Sequence, residues 1–210
     1  MDLSLSTTSA LTGLGIGVAL AGAPGPVQTV ILAEAARGGP RRGIQAVVGA
    51  SLSFGTLLVA LALGLSALAL SGTGLRVLQV VGGAFLVWLA IDGFRSAAGS
   101  VPNDSGRGSL PPVVRGSLAV LLNPGAWIFL GAVASPLFSS SAQEGGTPAA
   151  LLAAVALMAG AALGDTALAI VGGIGLRRAG VSVGRGIQRA LAVILALLGG
   201  WLLVTGVIGW

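Results

Sequence analysis

Apolar residues in this chain are gathered into six long runs, which short polar connections separate. A helix that crosses a bilayer needs about 20 consecutive and mostly apolar residues. Each run reaches that length, so the pattern predicts an all-α membrane protein with six transmembrane helices. The predicted helices cover residues 9–33, 44–70, 75–93, 114–138, 149–175 and 190–209.

Proline and glycine interrupt two of these runs, the first and the fourth. The first contains Pro24-Gly25-Pro26, and the fourth contains Asn123-Pro124-Gly125. Proline removes a backbone donor and glycine leaves helical angles easily, so both helices are predicted to be broken or kinked. Within a bilayer the freed backbone groups need protein or a water-filled cavity around them, and paired breaks of this kind indicate the substrate site of a transporter.

The residues around the breaks predict what that site binds. A helix that restarts at Pro26 offers free N–H groups to an anion, and Gln28 and Thr29 add side-chain hydrogen bonds. Asn123 directly precedes Pro124 and suits a helix N-cap. The alternative is that the prolines only kink packed helices. The predicted substrate-binding residues are Pro24, Gly25, Pro26, Gln28, Thr29, Asn123, Pro124, Gly125 and Asp165.

Acidic side chains inside the apolar runs are the candidates for coupling. Asp165 lies well inside the fifth run, where a charge costs at least about 2.5 to 3.5 kcal/mol, and such a residue normally serves a proton, an ion or a substrate. The alternative is a structural acid bonded to Thr166 or to an arginine. Glu34, which follows the first break, is predicted to act in coupling or gating, with an interface charge as the alternative. Asp92 has the spacing of a local ion pair with Arg95.

The basic residues, all eleven of them arginine, are distributed unevenly over the connections. The second connection has Arg76 at its edge, and the fourth has no basic residue. Basic residues in short loops stay in the cytoplasm, so the pattern predicts that both termini lie outside. The remaining ten flank the first, third and fifth connections: Arg37, Arg41, Arg42, Arg95, Arg107, Arg115, Arg177, Arg178, Arg185 and Arg189.

The third connection, at residues 96–112, is rich in Gly, Pro, Ser and Asn and predicts a flexible cytoplasmic linker. It divides one membrane domain into a first three-helix repeat at 1–95 and a second at 113–210. An odd number of helices per half forces opposite orientations, as in the inverted repeats of many secondary transporters. Internal similarity supports this weakly, because the segment GASLSF at 49–54 resembles GAALGD at 160–165.

The amino-acid composition excludes several further classes of function. Of the 210 residues 55% are hydrophobic and 8% are charged, whereas a soluble domain carries about 25% charged residues. Cysteine and histidine are absent, which removes thiol chemistry, thiolate metal sites and the usual proton shuttle. No ATP-binding P-loop is visible, and the net charge of +5 comes from arginines at helix ends rather than from a nucleic-acid surface. The sequence therefore predicts no enzyme, no metal and no cofactor.

Over nearly its whole length the sequence resembles the LysE/RhtB (lysine exporter / homoserine-threonine resistance) family of amino-acid exporters. The first half has a Gly-Pro turn followed by GPRRG at 39–43 and by Gly49. The segment RGSLAVLLNPGAWIF at 115–129 is similar to the Asn-Pro-Lys motif of the family's fourth helix. Two positions depart from the family: Gly125 replaces its usual lysine, and Phe54 replaces a frequent acidic residue. These departures argue against lysine or threonine as the substrate.

The resemblance implies a secondary exporter of amino acids or similar small zwitterionic metabolites, coupled to protons, in the inner membrane of a bacterium. The expected partners are the lipid bilayer, the substrate and a proton, without nucleic acid, and a homo-oligomer is left open. The alternatives are a cation carrier or channel of the same architecture, for which Asp165 and Asn123 supply few ligands, and a membrane scaffold that transports nothing.

Overall fold

The computed structural model of the chain describes residues 3–23, 25–64, 72–97, 110–178 and 180–208. These residues form helices and contain no strand, which confirms the prediction of an all-α protein. A π-helical turn, Leu130–Ala134, joins the sixth helix to the seventh. The helices are α1 (Leu3–Gly22), α2 (Pro26–Gly38), α3 (Pro40–Ala62), α4 (Gly72–Ala97), α5 (Pro112–Leu121), α6 (Pro124–Phe129), α7 (Ser135–Arg178) and α8 (Gly180–Ile208).

Four stretches of this structure are long and apolar enough to cross a membrane: Pro40–Ala62, Arg76–Arg95, Pro124–Gly175 and Arg185–Ile208. The helices Thr7–Gly22 and Pro26–Gly38 form a fifth if they count as one span bent by 62°. The 52 residues of Pro124–Gly175 would measure about 78 Å as one straight helix, more than twice the roughly 30 Å of hydrocarbon. Gly145 and Gly146 leave helical angles within it, so this stretch is consistent with two of the six predicted spans.

The helices extend further into polar sequence than the apolar runs predict. α3 begins at Pro40 rather than at 44, α4 covers 72–97 rather than 75–93, and α8 begins at Gly180 rather than at 190. The length of an apolar run measures only the part of a helix that lies in the hydrocarbon core of the bilayer, whereas the helix itself continues into the polar interface. Residues 65–70 of the second predicted segment and 98–109 of the predicted linker lie outside the described residues.

Glycines bring the helices together in pairs. A Cβ atom at Gly17 of α1 would clash with the carbonyl oxygen of Leu157 in α7, and one at Gly116 of α5 would clash with that of Ala46 in α3. Such close backbone approach is how membrane helices associate when lipid removes the hydrophobic drive between them. The largest apolar core lies where α3, α6 and α7 meet, and it contains Phe54 among its buried residues.

The ends of the helices that carry the predicted cytoplasmic arginines meet at one face of the molecule. Arg37 of α2 bonds Asp92 near the end of α4, with 2.8 Å between Nη1 and Oδ2. Gln188 near the start of α8 donates to the carbonyl oxygen of Ala36 at 2.9 Å. The helix ends that flank the first, third and fifth connections therefore lie on the same side of the bundle, which agrees with the distribution of arginines.

Candidate functional site

The first break lies between α1, which ends at Gly22, and α2, which begins at Pro26. Gly25 is extended (φ −162°, ψ −178°) and caps α2, whose first residue is Pro26. Pro26 has no N–H to donate, and its fixed φ suits the first position of a helix. The carbonyl oxygen of Gly25 accepts from the hydroxyl of Thr29 at 2.8 Å. Pro24 lies outside the described residues.

The second break lies between α5 and α6. Asn123 caps α6, and its side-chain oxygen accepts from the N–H of Gly125 at 3.0 Å, which confirms the predicted N-cap. Pro124 is the first residue of α6. The indole N–H of Trp127 donates back across the break to the carbonyl oxygen of Leu121 at 2.8 Å. Gln28 spans the first break in the same way, with 3.5 Å between its amide nitrogen and the carbonyl oxygen of Leu20.

A cavity of about 270 Å³ lies between the two breaks, and residues of α3 and α7 also line it. Thr29 and Pro124 are buried and are not among the described lining residues. The breaks are therefore brought together in space although about 100 residues separate them. The predicted site residues that line the cavity are Gly25, Pro26, Gln28, Asn123, Gly125 and Asp165.

Asp165 of α7 supplies the charge of the cavity. The residue is 7% exposed, and 3.4 Å separates its Oδ1 from the side-chain nitrogen of Gln28. Among the described residues that line the cavity, Asp165 is the one charged side chain, and no arginine accompanies it. The predicted alternatives of a bond to Thr166 or to an arginine thus do not describe its contacts, because the recorded donor is Gln28 of the first break.

Sequence reasoning missed the apolar wall of the cavity. The rings of Phe54 in α3 and Phe129 in α6 lie 5.9 Å apart between centroids, and both line the cavity together with Met158. The sequence did indicate that Phe54 belongs to the site, because Phe54 occupies in GASLSF the place that Asp165 occupies in GAALGD. The cavity can therefore hold a small molecule with one positive charge and an apolar portion.

Glu34 lies elsewhere, in a buried group that we call the arginine cluster. Its carboxylate, 1% exposed, receives Arg115 Nη1 at 2.9 Å, Arg42 Nε at 2.6 Å and Arg37 Nη1 at 3.5 Å. Asp92 is the second acid of the cluster, and Arg115 Nη2 lies 2.6 Å from its Oδ2. The cluster consists of Glu34, Arg37, Arg42, Asp92 and Arg115.

Arg115 connects this cluster. It is 1% exposed, donates through Nε to the carbonyl oxygen of Leu110 at 3.0 Å, and places its guanidinium 5.4 Å from the ring centre of Trp88. In the sequence, Arg115 counts only among the arginines that indicate topology. Its position also indicates a role inside the bundle, because Arg115 lies one residue inside the fourth apolar run, where a loop residue is not expected.

Comparison with known proteins places these features in a family. A family model described as LysE type translocator matches residues 18–206, which include both breaks, the cavity and the arginine cluster. Within the described residues no group of three or more acidic, histidine or cysteine side chains could hold a metal ion. The chain matches no curated protein and no solved structure.

Proposed function

The chain belongs to the LysE type translocator family, and from that premise we propose that it is a secondary active exporter of amino acids or similar small zwitterionic metabolites. Members of this family are transporters and not enzymes. One observation carries the proposal: both helix breaks line one cavity, and the single charged side chain among its described lining residues is a buried carboxylate.

In this proposal a zwitterion is held at both ends. The ammonium group lies against Asp165, because a buried carboxylate favours a positive partner over none. The carboxylate lies against the start of α2, where Pro26 and the residues after it present the positive end of the helix dipole. Gln28, which already contacts Asp165, completes the polar side of the site.

Alternating access follows from two inverted three-helix repeats, 1–95 and 113–210, joined by the linker 96–112. The helix contacts support this plan. Leu14 and Gly17 of α1 pack on Leu157 and Gly160 of α7, while Val113 and Gly116 of α5 pack on Ala46 and Gly49 of α3. Each pairing uses positions three residues apart on both helices, as a two-fold relation between the halves requires.

The contact between α4 and α8 supports the same axis, because it is reciprocal. A Cβ at Gly83 would lie 2.8 Å from the carbonyl oxygen of Gly199, and a Cβ at Gly199 would lie 2.8 Å from that of Gly83. Because each glycine contacts the other in the same way, the two-fold axis that would relate the halves passes between α4 and α8. Rocking of the halves about this axis would open the cavity to one side at a time.

The arginine cluster, with Glu34 at its centre, serves as the cytoplasmic gate in this proposal. Arg115 of the second repeat bonds Glu34 and Asp92 of the first, so opening the cytoplasmic side means breaking these bonds. The halves are joined differently at the other end of α1 and α7, where Gly13 packs on Ala153 without charges. Ion pairs would hold the cytoplasmic gate closed, and apolar contact would hold the outer gate closed. The two gates would therefore differ in strength.

Proton coupling is assigned to Asp165. Its carboxylate holds the substrate's ammonium in the ionised form and loses that attraction when it takes up a proton. A proton that enters from outside therefore releases the substrate there, and the protonated carrier returns to release the proton inside. The arginine-rich connections lie in the cytoplasm of a bacterium, which puts both termini outside its inner membrane.

Replacement of Asp165 by asparagine tests the proposed function. In everted vesicles, where an exporter pumps inward, we expect Asp165→Asn to reduce proton-driven amino-acid uptake at least 100-fold while the protein still inserts, because asparagine keeps the size and loses the charge. Asp104→Asn, in the predicted linker, is the matched control and should transport normally. Uptake by Asp165→Asn at the level of the control would remove Asp165 from the mechanism.

A further inference from the structure

The described residues that line the cavity include one charged side chain, and this restricts which substrates the cavity can carry. Asp165 is the one charged side chain that the described lining residues contribute. Asn123 uses its side-chain oxygen to cap α6, and Gln28 directs its amide to Leu20 and Asp165. A substrate with a second ammonium or a second carboxylate would bring a charge for which these residues offer no partner, and an unpaired charge away from water is strongly disfavoured.

Apart from Ser51, the remaining side chains that line the cavity are apolar. Phe54, Phe129 and Met158 face it together with Leu20 and Val120. Aromatic rings and a flexible thioether favour an apolar side chain of variable shape. The volume of about 270 Å³ is below the roughly 300 to 1,000 Å³ of drug-sized pockets, which suits one amino acid rather than a peptide.

Phe54 and Asp165 stand in equivalent positions. Phe54 follows Gly49 by five residues, and Asp165 follows Gly160 by five. Gly49 packs against the carbonyl of Val113, and Gly160 packs against that of Leu14, in the two pairings described above. The two side chains thus approach the cavity from α3 and α7, one apolar and one charged.

We propose that the substrate is a monoamino monocarboxylic acid with an apolar side chain, and that Phe54 sets this specificity by placing a ring where a second carboxylate would accept a diamino acid. The inference rests on the proposed function, because it names the substrate class of the same site. Asp165 binds the α-ammonium, and the side chain of the substrate lies against Phe54 and Phe129.

Three amino acids with the same six-carbon chain test the charge requirement. L-lysine is L-norleucine with a terminal ammonium, and L-2-aminoadipate carries a terminal carboxylate instead. Each is titrated against the detergent-purified full chain by thermal shift, since a ligand that binds only the folded protein raises its melting temperature. We expect norleucine to bind at least tenfold more tightly than either charged probe. Equal or tighter binding of lysine or aminoadipate would overturn the inference.

Two variants at position 54 separate charge from shape. Phe54→Asp should improve lysine binding at least tenfold and weaken norleucine, whereas Phe54→Asn, which has the same size as the aspartate variant, should weaken norleucine without improving lysine. The same lysine affinity in both variants would overturn the role of Phe54. If Phe54→Asp does not fold, the wild-type ranking still decides the substrate class.

Uptake by everted vesicles then distinguishes a failure of the proposed specificity from a failure of the proposed export function. Proton-driven uptake of norleucine in preference to lysine supports both. Uptake of lysine or aminoadipate in preference to norleucine overturns the specificity and leaves the exporter in place. If none of the 20 standard amino acids or the three probes is bound or transported by the wild type, the proposed function fails together with the inference.

Discussion

The cavity and the arginine cluster are two polar regions inside one apolar bundle, and they differ in how completely their charges are matched. In the cluster, two carboxylates receive three guanidiniums, and the closest ion pairs are 2.6 Å long. In the cavity, one carboxylate receives one amide at 3.4 Å. Glu34 and Asp165 are both buried, so burial by itself does not separate a structural charge from one that serves a ligand.

The partners of a buried charge in a membrane bundle indicate whether the charge is structural or serves a ligand. A buried ion pair that is satisfied on all sides gains little by releasing its partner, whereas a buried charge with one weak bond gains from any suitable ligand. Glu34 and Asp165 are both acids within apolar helices, and only their partners distinguish them. In the proposed function, the cluster therefore keeps the cytoplasmic side closed and the cavity binds the substrate.

The largest effect that sharpens this comparison is expected at Arg115. Arg37 and Arg115 both bond Glu34 and Asp92, and Arg115 is the more deeply buried of the two. Arg115→Gln breaks its buried pairs, which costs about 3–5 kcal/mol. The loss should appear as a much lower melting temperature in detergent. Arg41→Gln, an exposed arginine in the first turn of α3, is the control. A melting temperature equal to the control would show that the cluster is not structural.

A smaller effect is expected at the edge of the cavity. Asn123→Ala removes the cap of α6, which should cost about 1 kcal/mol. Asn123→Ser retains a capping oxygen and should recover most of this loss, as measured by thermal unfolding. If both variants unfold alike, the hydrogen bond to Gly125 does not stabilise the second break.

The smallest effect has the opposite sign. Asp165→Asn should raise stability by about 0.5 kcal/mol, because it removes a charge that the bundle compensates poorly, although the amide of Gln28 already offsets part of the cost. The melting temperature of Asp165→Asn, compared with that of Asp104→Asn, provides the measurement. A large loss of stability would make Asp165 a structural acid like Glu34 and would break the comparison.

Much of the site could be predicted because it depends on local chemistry. Pro26 lacks an N–H and Asn123 precedes a proline, so the breaks follow from the residues themselves. Asp165 stood out because a carboxylate inside an apolar run is costly wherever the helix packs. The sequence marks Phe54 as a departure from the family but not as part of a cavity wall, because the neighbours of a phenylalanine depend on how the helices pack.

By itself the sequence determined the helices, the two breaks, the buried acid and the face at which the arginines gather, since each of these follows from hydrogen bonding and charge within a few residues. Only the tertiary structure decided that Glu34 belongs to the arginine cluster and Asp165 to the cavity. Arg115 bonds Glu34 across 81 positions of the chain. No local pattern encodes that pair, because it arises when close glycine contacts bring α3 and α5 together and so select which charges meet.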